Sequence, residues 1–123
     1  LAFGSVVAPS LEVGEILDST VINMRFVKPL DEELILQLAA EHEYLVTVEE
    51  NVIKGGAGSA VNEVLANHDV VTNILNLGLP DRLIPHGSQE DMLNDAGLTK
   101  DGIFKSIESH IQIPALTEAV KTA

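Results

Sequence analysis

Thr20-Val21-Ile22-Asn23-Met24-Arg25-Phe26-Val27-Lys28-Pro29-Leu30-Asp31, continued by Glu32-Glu33-Leu34-Ile35-Leu36-Gln37-Leu38-Ala39-Ala40, carries the pattern that decides the fold. An apolar, β-branched run predicts a strand over Thr20–Phe26, and Lys28-Pro29 ends it, because proline has no N–H to continue a ladder. Asp31 is a good N-cap, Glu32 and Glu33 complement the positive end of a helix, and Leu34, Ile35, Leu38 and Ala39 give that helix one apolar face up to about Ala40.

The same strand-then-helix alternation extends both ways. Upstream, Leu1–Phe3 reads as a strand stub, and Pro9-Ser10 opens a helix to Leu17 with Leu11, Ile16 and Leu17 as inward positions; Gly14 costs that helix about 1 kcal/mol. Downstream, Tyr44–Val48 is a strand that runs into Glu49-Glu50-Asn51 and then Lys54-Gly55-Gly56-Ala57-Gly58-Ser59. A helix follows from Ser59 to Asn67 with Val61, Val64 and Leu65 inward. His68-Asp69 makes the turn into a strand over Val70–Leu77. Turn residues Gly78-Leu79-Pro80-Asp81 and Pro85-His86-Gly87 bracket a loop. Ser88-Gln89-Glu90-Asp91 has capping-box form and opens a short helix that stops at Gly97, and Thr99 caps a last helix through Ile103, Phe104, Ile107 and Ile111. Pro114 breaks it, so residues 1–113 are expected to form the domain and 114–123 a flexible tail.

Strands alternating with helices predict an α/β fold of three layers, a mostly parallel sheet between two layers of helices. In such folds ligands sit beyond the carboxyl ends of the strands, where Arg25–Pro29, Glu49–Gly58 and Gly78–Gly87 come together.

Bulk composition narrows the partners. The chain has 123 residues and 46% hydrophobic residues, which fits one domain with its own core, and its 7 basic against 19 acidic residues give a formal net charge of −12. That acidity argues against nucleic acid and anionic membrane, both of which need a basic face. Without cysteine there is no disulfide, thiolate metal site or cysteine nucleophile. No run approaches the ~18 apolar residues of a membrane span, so the default location is cytoplasmic. The apolar start at Leu1, without methionine, suggests a strand cut partway along and hence a fragment.

Against this acidic background the pairing of Arg25 with Lys28 stands out as an anion site; the alternative is ordinary strand-end punctuation, with Arg25 neutralising a neighbouring carboxylate. The glycines of Lys54–Gly58 precede a helix and can offer backbone N–H groups to an anion, but the third glycine of a dinucleotide fingerprint is missing at Val61, so they serve as well for a tight turn and close helix packing. Glu49 and Glu50 are adjacent on a strand, so they point to opposite faces and cannot form an acid–base dyad; one solvated carboxylate and one that caps a backbone amide or pairs with arginine is the ordinary outcome. His86, in a loop, is a candidate proton donor or phosphate ligand. His42, His68 and His110 fall in helix-end or turn contexts expected to be solvated, and no spacing matches a metal-ligand pattern. No segment holds a full catalytic apparatus, so the chain is expected to complete a site built elsewhere.

The strings Asn23–Asp31, Val48-Glu49-Glu50-Asn51 with Gly55–Ser59, and Gly78-Leu79-Pro80-Asp81 with His86-Gly87 together resemble the C-terminal domain of the 1-deoxy-D-xylulose-5-phosphate synthases, within the transketolase-like family. The resemblance runs from Phe3-Gly4-Ser5 to about Ile111. It implies a five-stranded mixed sheet whose first strand is antiparallel, here truncated. It also implies a parent transferase of isoprenoid-precursor and thiamine biosynthesis that uses thiamine diphosphate and Mg2+, decarboxylates pyruvate and joins the two-carbon unit to glyceraldehyde 3-phosphate. The cofactor belongs to the preceding domains, so none is expected in this chain, and no catalytic residue either. The parent is a homodimer, and the isolated domain is expected to be inactive. The arginine matching Arg25 binds the acceptor's phosphate; Lys28, Glu50 and His86 are candidates by proximity. Other readings are the equivalent domain of a 2-oxoacid dehydrogenase β subunit, with a similar Arg-x-x-x-Pro-Leu-Asp strand end and a Gly-Gly turn, or a small nucleotide-binding module using Gly56 and Gly58.

Overall fold

The computed structural model describes residues 1–112, so the expected tail 114–123 lies outside the described residues. The elements are β1 (Ala2–Phe3), a 3-10 turn (Gly4–Val6), α1 (Val7–Leu17), α2 (Glu32–Glu41), β2 (Tyr44–Val52), α3 (Ala57–Asn67), β3 (Asn73–Leu79), α4 (Gln89–Asp95) and α5 (Lys100–Ile111).

Three helix starts are set by the side chains their sequences supply. Asp31 Oδ1 accepts from Leu34 N–H at 3.1 Å, Ser88 Oγ from Asp91 N–H at 3.1 Å, and Thr99 Oγ1 from Gly102 N–H at 3.3 Å. Each satisfies a first-turn donor that has no partner within the helix, typically worth about 1 kcal/mol.

The sheet order is β1-β2-β3, all parallel, with Phe3 level with Glu49 and Leu45 level with Ile74. On the far side of β1 the segment 22–24 adds a bridge: Ala2 N–H donates to the Ile22 carbonyl and Met24 N–H to the Ala2 carbonyl, each at 2.9 Å. The chain therefore steps one way from β1 to reach 22–24 and back past β1 to reach β2, which is a topological switch of a doubly wound fold.

Side-chain alternation along β2 feeds two cores. Leu45 joins Phe3, Met24, Ile35 and Leu38 with Val61, Val64 and Leu65 beneath α2 and α3. Val48 joins Val6, Val13, Leu98, Ile103 and Ile107 beneath α1 and α5. A fully buried aliphatic side chain such as Ile35, Val61 or Ile103 contributes about 1.5–3 kcal/mol.

The α/β class and the three layers follow the sequence; the details of the sheet do not. Among the described residues the sheet has three strands and a bridge rather than five strands. β1 is parallel, not antiparallel, to its neighbours, because a helical crossover returns the chain to the same end of the sheet. The expected strand Thr20–Phe26 shrinks to its bridge at Asn23. There the Asn23 side chain accepts from Arg25 N–H at 3.2 Å, and Phe26 N–H turns back to the Met24 carbonyl at 2.6 Å, closing a γ-turn in place of a ladder. In α1 the expected inward residues Leu11 and Ile16 are half exposed, while small or short residues, Ser10, Val13 and Gly14, face inward. Gly14 lies directly under the Val21 side chain, so the helix packs too closely for large residues on that face.

Candidate functional site

Arg25 sits at the apex of the γ-turn that ends segment 22–24, with φ of 62°, a left-handed conformation that non-glycine residues enter at a cost of about 1 kcal/mol. Its neighbours Phe26 and Val27 are 66% and 43% exposed, unusual for such side chains, and Lys28 is exposed beside them. The other arginine, Arg82, is paired with Asp95 at 3.0 Å, Lys54 with Asp81 at 3.5 Å and Lys100 with Glu12 at 3.7 Å. Among the described residues Arg25 and Lys28 enter no such pair. Among the described residues, the alternative in which Arg25 neutralises a neighbouring carboxylate finds no carboxylate at ion-pair distance.

The adjacent glutamates divide as strand geometry requires. Glu49, 2% exposed, turns inward, and its carboxylate accepts from Ala57 N–H at 2.6 Å and Gly58 N–H at 3.0 Å. It fills the first turn of α3, whose N-cap residue Gly56 has no side chain to do so. The glycines exist for this contact. A Cβ on Gly56 would fall 2.7 Å from Glu49 Oε1 and 2.5 Å from the Val52 carbonyl, and one on Gly58 2.6 Å from Thr47 Oγ1. The turn that a phosphate would need is occupied by the protein's own anion, which removes the basis for the nucleotide-binding reading and for a diphosphate cofactor held there.

Glu50 turns outward and is exposed. Ser5 Oγ–H donates to its Oε2 and Gln89 Nε2 to its Oε1 at 3.5 Å, so the carboxylate joins the turn after β1, the end of β2 and the start of α4. Neither Ser5 nor Gln89 was singled out from the sequence; Ser5 is 45 positions from Glu50, and only the β1–β2 pairing brings them together. Asn23 was also missed, although an asparagine two residues before a turn apex is a usable signal. His86 is exposed in the loop between β3 and α4, three residues before Gln89. His42 departs from expectation: it is partly buried, with Nδ1 against the Leu38 carbonyl at 3.1 Å and Nε2 against Thr20 Oγ1 at 3.2 Å.

An apolar cavity of about 220 Å³ opens toward the amino ends of the strands, lined by Leu1, Val13, Val21, Tyr44 and Leu45; none of Arg25, Lys28, Glu50 or His86 lines it. The chemistry gathers at the other end of the sheet.

Comparison with known proteins bears on the chain as a whole. The chain is 58% identical over 113 residues to a protein of Nitrosomonas eutropha named 1-deoxy-D-xylulose-5-phosphate synthase, covering 92% of this chain and 18% of that one. Proteins of the same name from Nitrosococcus oceani and Proteus mirabilis are 56% and 54% identical, each over 89% of this chain. The chain thus spans less than a fifth of the length of these curated relatives. Among solved structures it is similar to one described as "Split gene transketolase, inactive beta4 tetramer", with TM-score 0.81 and 28% identity over 90% of this chain and 38% of that one. The family described as "Transketolase, C-terminal domain" matches residues 1–103, and the chain belongs to that family.

Proposed function

We propose that this chain is the C-terminal domain of a 1-deoxy-D-xylulose-5-phosphate synthase and that it presents Arg25 to the phosphate of the acceptor, glyceraldehyde 3-phosphate. One observation carries the role of Arg25: it is the apex of a turn at the carboxyl end of the sheet, exposed and without a carboxylate partner among the described residues, in a domain of net charge −12. A guanidinium left without an internal partner suits an external anion, and its planar fork matches two phosphate oxygens. Lys28 adds a second, less directional charge nearby. The remainder of the enzyme, absent here, holds thiamine diphosphate and Mg2+ and supplies the chemistry; its homodimeric state and cytoplasmic location belong to the same reading. By itself the domain neither binds the cofactor nor turns over pyruvate.

The test grafts this chain onto the Nitrosomonas eutropha relative in place of its own C-terminal domain. Arg25→Ala is expected to lower kcat/KM for glyceraldehyde 3-phosphate roughly 10- to 150-fold, the equivalent of about 1.5–3 kcal/mol for a charge-assisted bond, with the pyruvate constant nearly unchanged. Lys28→Ala is expected to do less. Equal impairment toward both substrates, with a lowered melting temperature, would mean that Arg25 only supports the fold.

A further inference from the structure

The sheet places a second polar group at the same end as Arg25. Asn23 pairs with Ala2, Ala2 with Val48 and Phe3 with Glu49, so Gly4 and Glu50 each follow a residue of the last β1–β2 pair and Arg25 comes two residues after the bridge at Asn23, all at the same end of the sheet. β1 therefore lies between the segment that carries Arg25 and the strand that carries Glu50. The residue that follows β1 has no side chain. Gly4 has φ of 75°, and a Cβ built on it would meet no atom within 4 Å, so the turn after β1 is uncrowded at that point. Nor is Glu50 free to swing across to Arg25, because Ser5 and Gln89 hold one carboxylate oxygen each.

The geometry points to Glu50 as a specificity-determining contact of the acceptor site: it accepts a hydrogen bond from the hydroxyl next to the aldehyde while Arg25 takes the phosphate. This rests on the phosphate reading of Arg25. Electrostatics fixes the direction in which the acceptor lies. Glu50 holds a negative charge over the turn that leads into α1, so the helix start that would otherwise attract an anion repels it, and the phosphate goes to the Arg25 side. The far end of the acceptor must then be neutral and able to donate, which a hydroxyaldehyde is and a carboxylate is not.

The experiment uses the same grafted enzyme with two acceptors, glyceraldehyde 3-phosphate and its 2-deoxy analogue 3-oxopropyl phosphate. The unaltered enzyme is expected to favour the hydroxylated acceptor in KM by roughly 10-fold, the lower end for a hydrogen bond to a charged group. Glu50→Ala raises KM for glyceraldehyde 3-phosphate by about that factor and leaves the deoxy analogue within about twofold, as a direct pairwise contact requires. Ser5→Ala, which frees the carboxylate without removing it, gives a smaller change of the same selectivity. If Glu50→Ala shifts both acceptors equally, or neither, the inference is overturned and the residue merely ties three elements together. Arg25→Ala measured alongside separates the two ideas. Both acceptors weakened by Arg25→Ala with no discrimination by Glu50→Ala sinks only the role of Glu50. Both acceptors unaffected by Arg25→Ala sinks the phosphate reading, on which the assignment of Glu50 depends.

Discussion

Two turns at the same end of the sheet treat charge in opposite ways. After β2, the glycine-rich turn before α3 is an anion hole that the fold has already filled: Glu49 is buried, its carboxylate is satisfied by two backbone N–H groups, and the neighbouring glycines are pressed against it or its surroundings. After segment 22–24, the turn at Arg25 is held open: the cation is exposed, the backbone is left-handed, and the ion pairs among the described residues lie elsewhere. The charge the fold needs is buried and matched; the charge proposed for an external anion is exposed and unmatched. The glycine motif, more eye-catching in sequence, is the structural one.

The contrast breaks first at Glu49. Glu49→Ala leaves two buried N–H groups of α3 without an acceptor, and the expected loss is about 3 kcal/mol of unfolding free energy, read from the urea midpoint of the isolated domain. Glu49→Gln keeps the volume but sets an amide NH2 near a backbone donor, and should fall between the alanine variant and the parent. A loss below about 1 kcal/mol for both would show that the carboxylate is dispensable to the fold and the turn open to other anions.

Gly58→Ala tests the same region by size rather than charge. Helix propensity favours alanine by about 1 kcal/mol, but the added carbon would lie 2.6 Å from Thr47 Oγ1 and 2.8 Å from Asn76 Nδ2, which bond each other at 2.6 Å. Overpacking of this kind costs about 1–3 kcal/mol, so the steric cost should equal or exceed the propensity gain and the midpoint should fall. A stabilised Gly58→Ala would mean that β2, β3 and α3 are less tightly joined than their contacts indicate.

How much could be read from the chain depends on the range of the interactions. The caps Asp31, Ser88 and Thr99 were legible because each acts on an N–H three residues away, and the helices and strands they punctuate followed. The pairing of Glu49 with Ala57 and Gly58 was legible only in outline: adjacent strand residues must point apart, so one glutamate had to turn inward, but not which one or to what. The tie between Ser5 and Glu50 was invisible, since it exists only through the register of β1 on β2. The length of the second strand was misread because Asn23 and the backbone at Arg25 override an apolar, β-branched run, and the face of α1 because close packing favoured small residues over large ones. Arg25 stands out in the chain itself, as a cation out of place in an acidic sequence.

The smallest effect is expected at Arg25, and its smallness is informative. An exposed side chain without an ion pair should contribute little, so Arg25→Ala should change the stability of the isolated domain by no more than about 0.5 kcal/mol. The backbone is a separate matter. Alanine inherits the left-handed conformation with φ of 62°, whereas glycine adopts it without steric cost and gives back part of the gain through its more flexible unfolded chain. Arg25→Gly should therefore melt above Arg25→Ala, by the equivalent of about 0.5 kcal/mol, and near or slightly above the parent. Both variants would lose the guanidinium and, in the grafted enzyme, the same share of acceptor affinity. Equal stability with unequal acceptor constants would mean that the shape of the turn, rather than the charge at its apex, governs the site; a large loss of stability in both would place Arg25 with Glu49, among the charges the fold keeps for itself.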